Sequence, residues 1–181
     1  MANRICKLIN ALDQEKNLEK VVVQTGQTLY AGDLVLAETL DTTDSDNIEV
    51  YSVTPVSDYT AEYPCVIINQ AFEKLSDGRR PEGNPNIGDY SYTVGDVISV
   101  IRLEQDLKFE ISQECIDVDD TAIAVGVYLI PQNSDFQFTS SASIGSSKVA
   151  LKIEKETSIG TGGNGGYGFV DGVIVRVVTG R

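Results

Sequence analysis

The chain has no histidine among its 181 residues, and that absence decides more chemistry than any residue present. Without imidazole there is no Ser-His-Asp or Cys-His relay and no zinc site built on histidine. Three cysteines, Cys6, Cys65 and Cys115, stand far apart with no Cys-x-x-Cys spacing. Odd in number and unclustered, they read as reduced, buried thiols, not as a disulfide framework or a metal cluster. Two acidic clusters remain, Asp41-Thr-Thr-Asp44-Ser-Asp46-Asn47-Ile-Glu49 and Asp117-Val-Asp119-Asp120. Alternating carboxylates suit calcium, but both clusters lack the glycine and the closing glutamate of an EF-hand loop, so solvated acidic turns are expected.

The segment Gly160-Thr-Gly162-Gly-Asn-Gly165 matches the dinucleotide pattern G-x-G-x-x-G. That pattern binds pyrophosphate only when a helix N-terminus follows it, because the helix supplies the free N–H groups. Here the next residues, YGFVDGVIVRVV, are strand-like, so a hairpin or inter-subunit loop is expected. No Gly-Lys-Ser/Thr ending marks a P-loop. Carboxylate pairs could run a glycosidase and a serine with a lysine could form a nucleophile and base, but 27 acids guarantee chance pairs and spacing nominates none. The reading is a non-enzymatic protein without metal or cofactor.

Two features remain as candidate contact residues. Arg79 and Arg80 are the only adjacent basic pair, set in the turn-rich stretch Leu75–Tyr92. The planar guanidinium fork suits carboxylates, so this pair is the candidate partner-binding site. Tyr51, Tyr59, Tyr63, Tyr90 and Tyr92 cluster near turns, where tyrosine either caps a core edge or makes amphipathic contacts.

The elements that must position these residues are mainly strands. Three copies of one short word recur: Tyr30-Ala-Gly32-Asp33, Tyr92-Thr-Val-Gly95-Asp96 and Phe169-Val-Asp171-Gly172, each running into an aliphatic stretch. Glycine tolerates positive φ, aspartate bonds its own backbone and β-branched residues favour extension, so each copy predicts a turn feeding a strand. Short β-branched runs bounded by turn residues extend from Val21–Gln24 to Val173–Val178. The expected fold is mainly β: a single-domain β-barrel or β-sandwich over 21–181, with a long loop at 75–92 and a glycine-rich loop at 158–168. Ile5, Leu8, Ile9 and Leu12 fall at helical spacing, predicting a short N-terminal helix or, failing that, an extended arm over 1–20.

The net charge of −13 is spread along the chain without a basic stripe, which argues against direct nucleic-acid binding. No signal peptide is expected at the N-terminus, and no apolar run approaches the roughly 18 residues of a membrane-spanning helix.

GQTLYAGDLVLAE at Gly26–Glu38, YTVGDVISVIRL at Tyr92–Leu103 and the glycine-rich approach to GVIVRVV resemble the auxiliary proteins that decorate tailed-phage capsids. The resemblance implies a barrel-like β domain that binds the outside of an assembled shell as a cement, self-associated as a homotrimer or other homo-oligomer. It also implies the major capsid protein as partner, and a virion assembled in the host cytoplasm as the location. Biotin and lipoyl carrier modules share the spacing from Gly26 to Asp33 but carry a modified lysine beside methionine, and no Met-Lys pair occurs here. A tail-tube or other virion structural subunit is the close alternative, although such subunits need a long hairpin, for which Val94–Ile111 is the one modest candidate. A carbohydrate-binding β module is the second alternative, weakened by the absence of tryptophan.

Overall fold

A computed structural model of the chain describes residues 4–9, 18–24, 26–40, 50–68, 91–117, 122–160 and 169–180. The fold is mainly β, as expected. In chain order the strands are β1 (Cys6–Leu8), β2 (Leu18–Val22), β3 (Leu29–Tyr30), β4 (Leu34–Leu40), β5 (Val50–Thr54), β6 (Cys65–Ile67) and β7 (Ser91–Tyr92). They continue as β8 (Val97–Arg102), β9 (Lys108–Ser112), β10 (Ile116–Asp117), β11 (Tyr128–Pro131), β12 (Phe138–Ser141), β13 (Ala150–Gly160) and β14 (Phe169–Thr179). A single 3-10 turn, Gln113–Cys115, is the helical element among the described residues.

Of the two outcomes named for the fold class, the barrel is formed, with a larger sheet beside it. Strands β2-β5-β4-β6-β8 close into a barrel, and β1-β9-β14-β13-β11-β12-β10 form a seven-stranded sheet packed against it. Strands β3 and β7 make a short separate ribbon. Strand alternation explains how the two layers share a core, since successive side chains point to opposite faces. In β6, Cys65 and Ile67 face the barrel interior, whereas Val66 faces the sheet. Leu34 of β4 and Ile101 of β8 point the same way as Val66, so one wall of the barrel is apolar on both faces. Against that wall the sheet sets Phe109, Ile111, Leu151, Ile153, Val173 and Val175, all fully buried. Each such side chain contributes roughly 1.5–3 kcal/mol of transfer free energy.

The N-terminal helix is not formed among the described residues; residues 10–17 lie outside them. Instead β1 pairs antiparallel with β9, Cys6 opposite Ile111 and Leu8 opposite Phe109. The helical spacing fails because β9 offers unpaired backbone at the sheet edge, and pairing there buries Ile5 and Cys6 while leaving Ile9 46% exposed. Tertiary pairing outweighs local helix preference over so short a stretch. Ser112 Oγ accepts from Ile5 N at 2.9 Å and Ser112 N donates to Ile5 O at 2.8 Å, extending the ladder.

The first two Gly-Asp words are indeed one turn used twice. Gly32 has φ +87° and Gly95 φ +86°; Asp33 Oδ2 accepts from Tyr30 N at 2.8 Å, and Asp96 Oδ2 from Thr93 N at 2.7 Å. They open β4 and β8 respectively. The third word is corrected: Asp171 and Gly172 lie inside β14 and make no turn. Gly172 is there for space, since a Cβ would stand 2.4 Å from the Ile159 side chain. The stretch 75–92 also ends earlier than expected, because Ser91 and Tyr92 form β7.

Asp33 is 2% exposed, and Arg4 Nη1 donates to its Oδ1 at 2.6 Å while lying 4.9 Å over the Tyr30 ring. Burial pushes Asp33 up to about 7, against the pull of the Arg4 guanidinium and the Tyr30 amide. The N-terminal segment is thereby pinned to the first Gly-Asp turn.

Candidate functional site at the barrel mouth

The barrel interior is built in layers, because inward side chains recur at every second residue of each strand. Val21, Val35, Val53, Ile67 and Val100 make the apolar layer. Stepping two residues along each strand reaches Glu19, Ala37, Tyr51, Cys65 and Arg102. All five strands thus deliver one side chain each to the barrel's end, where together with Tyr63 and Glu62 they line a cavity of about 450 Å³.

This layer is polar. Arg102 Nη2 donates to Glu19 Oε1 in a close ion pair, with the arginine side chain 38% and the glutamate 14% exposed. Cys65 Sγ donates to the other glutamate oxygen at 3.9 Å. The hydrogen bond to Glu19 raises Arg102, so the guanidinium is held charged at any accessible pH. Burial alone would raise Glu62, but hydrogen bonds from Asp58 N at 2.9 Å, Ser57 N at 2.8 Å and Ser57 Oγ hold it below the usual carboxylate range. Glycosidic cleavage needs one carboxyl kept protonated as the acid. Glu62, pulled low, does not fit that role, and Glu19 is engaged by Arg102.

A second surface is the outward face of the seven-stranded sheet. Residues directly opposite in antiparallel strands share a face. Lys7, Glu110, Ile174 and Lys155 make one row, and Lys108, Arg176, Lys152 and Tyr128 the next. Glu154 accepts from Lys108 Nζ and from Arg176 Nε, each at 2.6 Å, and these two bonds hold its carboxyl low. Lys152 Nζ lies 6.0 Å from the Tyr128 ring centre. Five of the chain's 14 basic residues therefore gather on one face of an acidic protein.

Arg79 and Arg80 lie outside the described residues, as do Tyr90, residues 41–49 of the first acidic cluster and 118–120 of the second. Among the described residues no group of three or more acidic or thiol side chains could hold a metal. Strands β13 and β14 pair from Gly160↔Phe169 inward, so the glycine-rich segment joins a hairpin and no helix follows it. None of the three cysteines is disulfide-bonded and all are buried, with burial pushing the Cys115 thiol up to about 12. Of the five singled-out tyrosines, Tyr92 packs in the barrel core, Tyr59 packs beside the shared core, and Tyr51 and Tyr63 line the cavity. Glu19 and Arg102 escaped sequence reasoning. Their signal was the alternation Glu19-x-Val21-x-Val23 and Ile98-x-Val100-x-Arg102, which puts a charge on the inward phase of each strand.

No family model, curated protein or solved structure matches this chain.

Proposed function

We propose that the chain is a non-enzymatic structural protein of a phage virion that binds the outer surface of the capsid and stabilises it. The observation that carries this reading is the cationic sheet face. Lys7, Lys108, Lys152, Lys155 and Arg176 present a positively charged surface on a chain of net charge −13. Such a face steers and orients docking onto an acidic partner surface such as the major capsid protein, and keeps the remaining acidic surface facing water. Arg79 and Arg80 would add a second contact of the same sign.

One observation favours a different position in the particle. Strands β13 and β14 are 11 residues each, and their pairing continues past the last β9 partner at Gly172 to Gly160↔Phe169. This is a longer hairpin than the sequence led us to expect, and long hairpins are what a tail-tube subunit requires. Immunogold labelling of intact virions separates the two. Label on the head exterior supports decoration, label only on broken tails supports the tube, and absence of the protein from purified particles overturns both.

A further inference from the structure

We infer that the mouth of the five-stranded barrel is a saccharide-binding site, with Tyr51 and Tyr63 as the apolar contacts and the Glu19–Arg102 pair as the polar recognition element. The inference stands apart from the virion reading, since it concerns the isolated chain.

The location is one where ligand sites recur, and about 450 Å³ lies within the roughly 300–1,000 Å³ usual for small-ligand sites. The chemistry of the lining narrows the ligand. A partly exposed ion pair offers an acceptor and a fork of donors side by side. Vicinal hydroxyls answer both at once, one donating to Glu19 and its neighbour accepting from Arg102. The pair is neutral overall and anchored, since Cys65 donates to the second oxygen of Glu19. Anions are disfavoured by Glu19 and Glu62, and a purely apolar ligand would strip water from the charges without replacing its hydrogen bonds. Tyr51 and Tyr63 then supply flat faces for the C–H side of a sugar ring and hydroxyls for its edge. Tyr63 is 41% exposed, so much of that ring is open to solvent in the unbound chain. Glu62 is already fixed by three donors, so little ordering is required of the rim when a ligand arrives.

The competing ligand is an organic cation, which two carboxylates and two tyrosines could also hold. The test therefore uses both kinds of probe on the purified chain: a glycan array, then ring resonances of Tyr51 and Tyr63 followed during titration with maltose, cellobiose, lactose and, separately, tetramethylammonium. A saccharide should shift both rings saturably, with a dissociation constant on the order of 1 mM. Tyr63→Ala, at a position outside the core, should weaken binding by at least about tenfold, while Tyr63→Phe should keep most of it because the ring face remains. Silence of the array and of the tyrosine resonances well above millimolar sugar would overturn the proposal. So would binding unchanged in Tyr63→Ala, or a response to tetramethylammonium stronger than to any sugar.

Discussion

Asp33 and Asp96 occupy the same position of the same turn yet meet opposite environments, one buried at 2% exposure and the other at the solvent edge. Asp33 sits at about 7 in the folded chain against 3.8 for an ordinary aspartate, so between those values the folded state holds a proton that the unfolded state has released. Its contribution to stability is therefore largest below about pH 4 and is lost as pH rises through 7, by up to roughly 4 kcal/mol. Asn at this position cannot ionise. The stability of Asp33→Asn relative to wild type should accordingly rise between pH 4.5 and pH 8 in urea titrations. A difference that does not change with pH would mean that Asp33 ionises like an ordinary carboxylate. Arg4→Ala tests the other half of the pair. It should cost more at pH 8 than at pH 5, by up to about 1.4 kcal/mol, because without the guanidinium Asp33 must take up at pH 8 a proton that it already holds at pH 5.

At the scale of elements, the repeated turn separates backbone strain from crowding. Gly32 and Gly95 share their φ, but a Cβ on Gly95 meets nothing within 4 Å, whereas one on Gly32 would lie 2.6 Å from Cys115 Sγ. Gly95→Ala should thus cost about 1–2 kcal/mol for the left-handed conformation alone. Gly32→Ala should cost roughly 1–3 kcal/mol more, read by chemical denaturation, and equal losses would show that Cys115 gives way freely. These turns were legible because Gly-Asp chemistry is local, and so was the aliphatic stretch that each of the first two feeds, which forms β4 and β8. What could not be read was decided by distant chain. β1 became a strand only because β9 had an edge to offer, and β13 runs on to Gly160, into the stretch 158–168 expected as a loop, because β14 pairs with it along its whole length. The barrel mouth was half legible. Tyr51 and Tyr63 stood out by type, but that Glu19 and Arg102 meet depends on closure of β8 onto β2, which sets Ile101 opposite Leu18 and Val100 opposite Glu19.

Across the whole molecule the charge is divided by face: five cations on the outer sheet stand against Glu110, Glu154 and, paired with Arg176 from the turn before β9, Asp106, so the rest of the chain is more acidic than the net −13 implies. A body charged in this way approaches an acidic shell in one orientation, and the attraction weakens with salt because exposed charges are screened beyond about 8–10 Å at physiological ionic strength. Lys152 and Lys155 are the cations to reverse, since Lys108 and Arg176 are held by Glu154 and their loss would disturb the sheet. Lys152→Glu with Lys155→Glu should leave the melting temperature within about 2–4 °C of wild type, as surface substitutions generally do. The same variant should weaken binding to purified particles by at least about tenfold at low salt and flatten its salt dependence. Arg79→Ala with Arg80→Ala, compared on the same particles, assigns the contact. If the arginine pair abolishes binding while reversal on the sheet leaves occupancy unaltered, docking runs through the 75–92 stretch and the cationic sheet face serves another purpose.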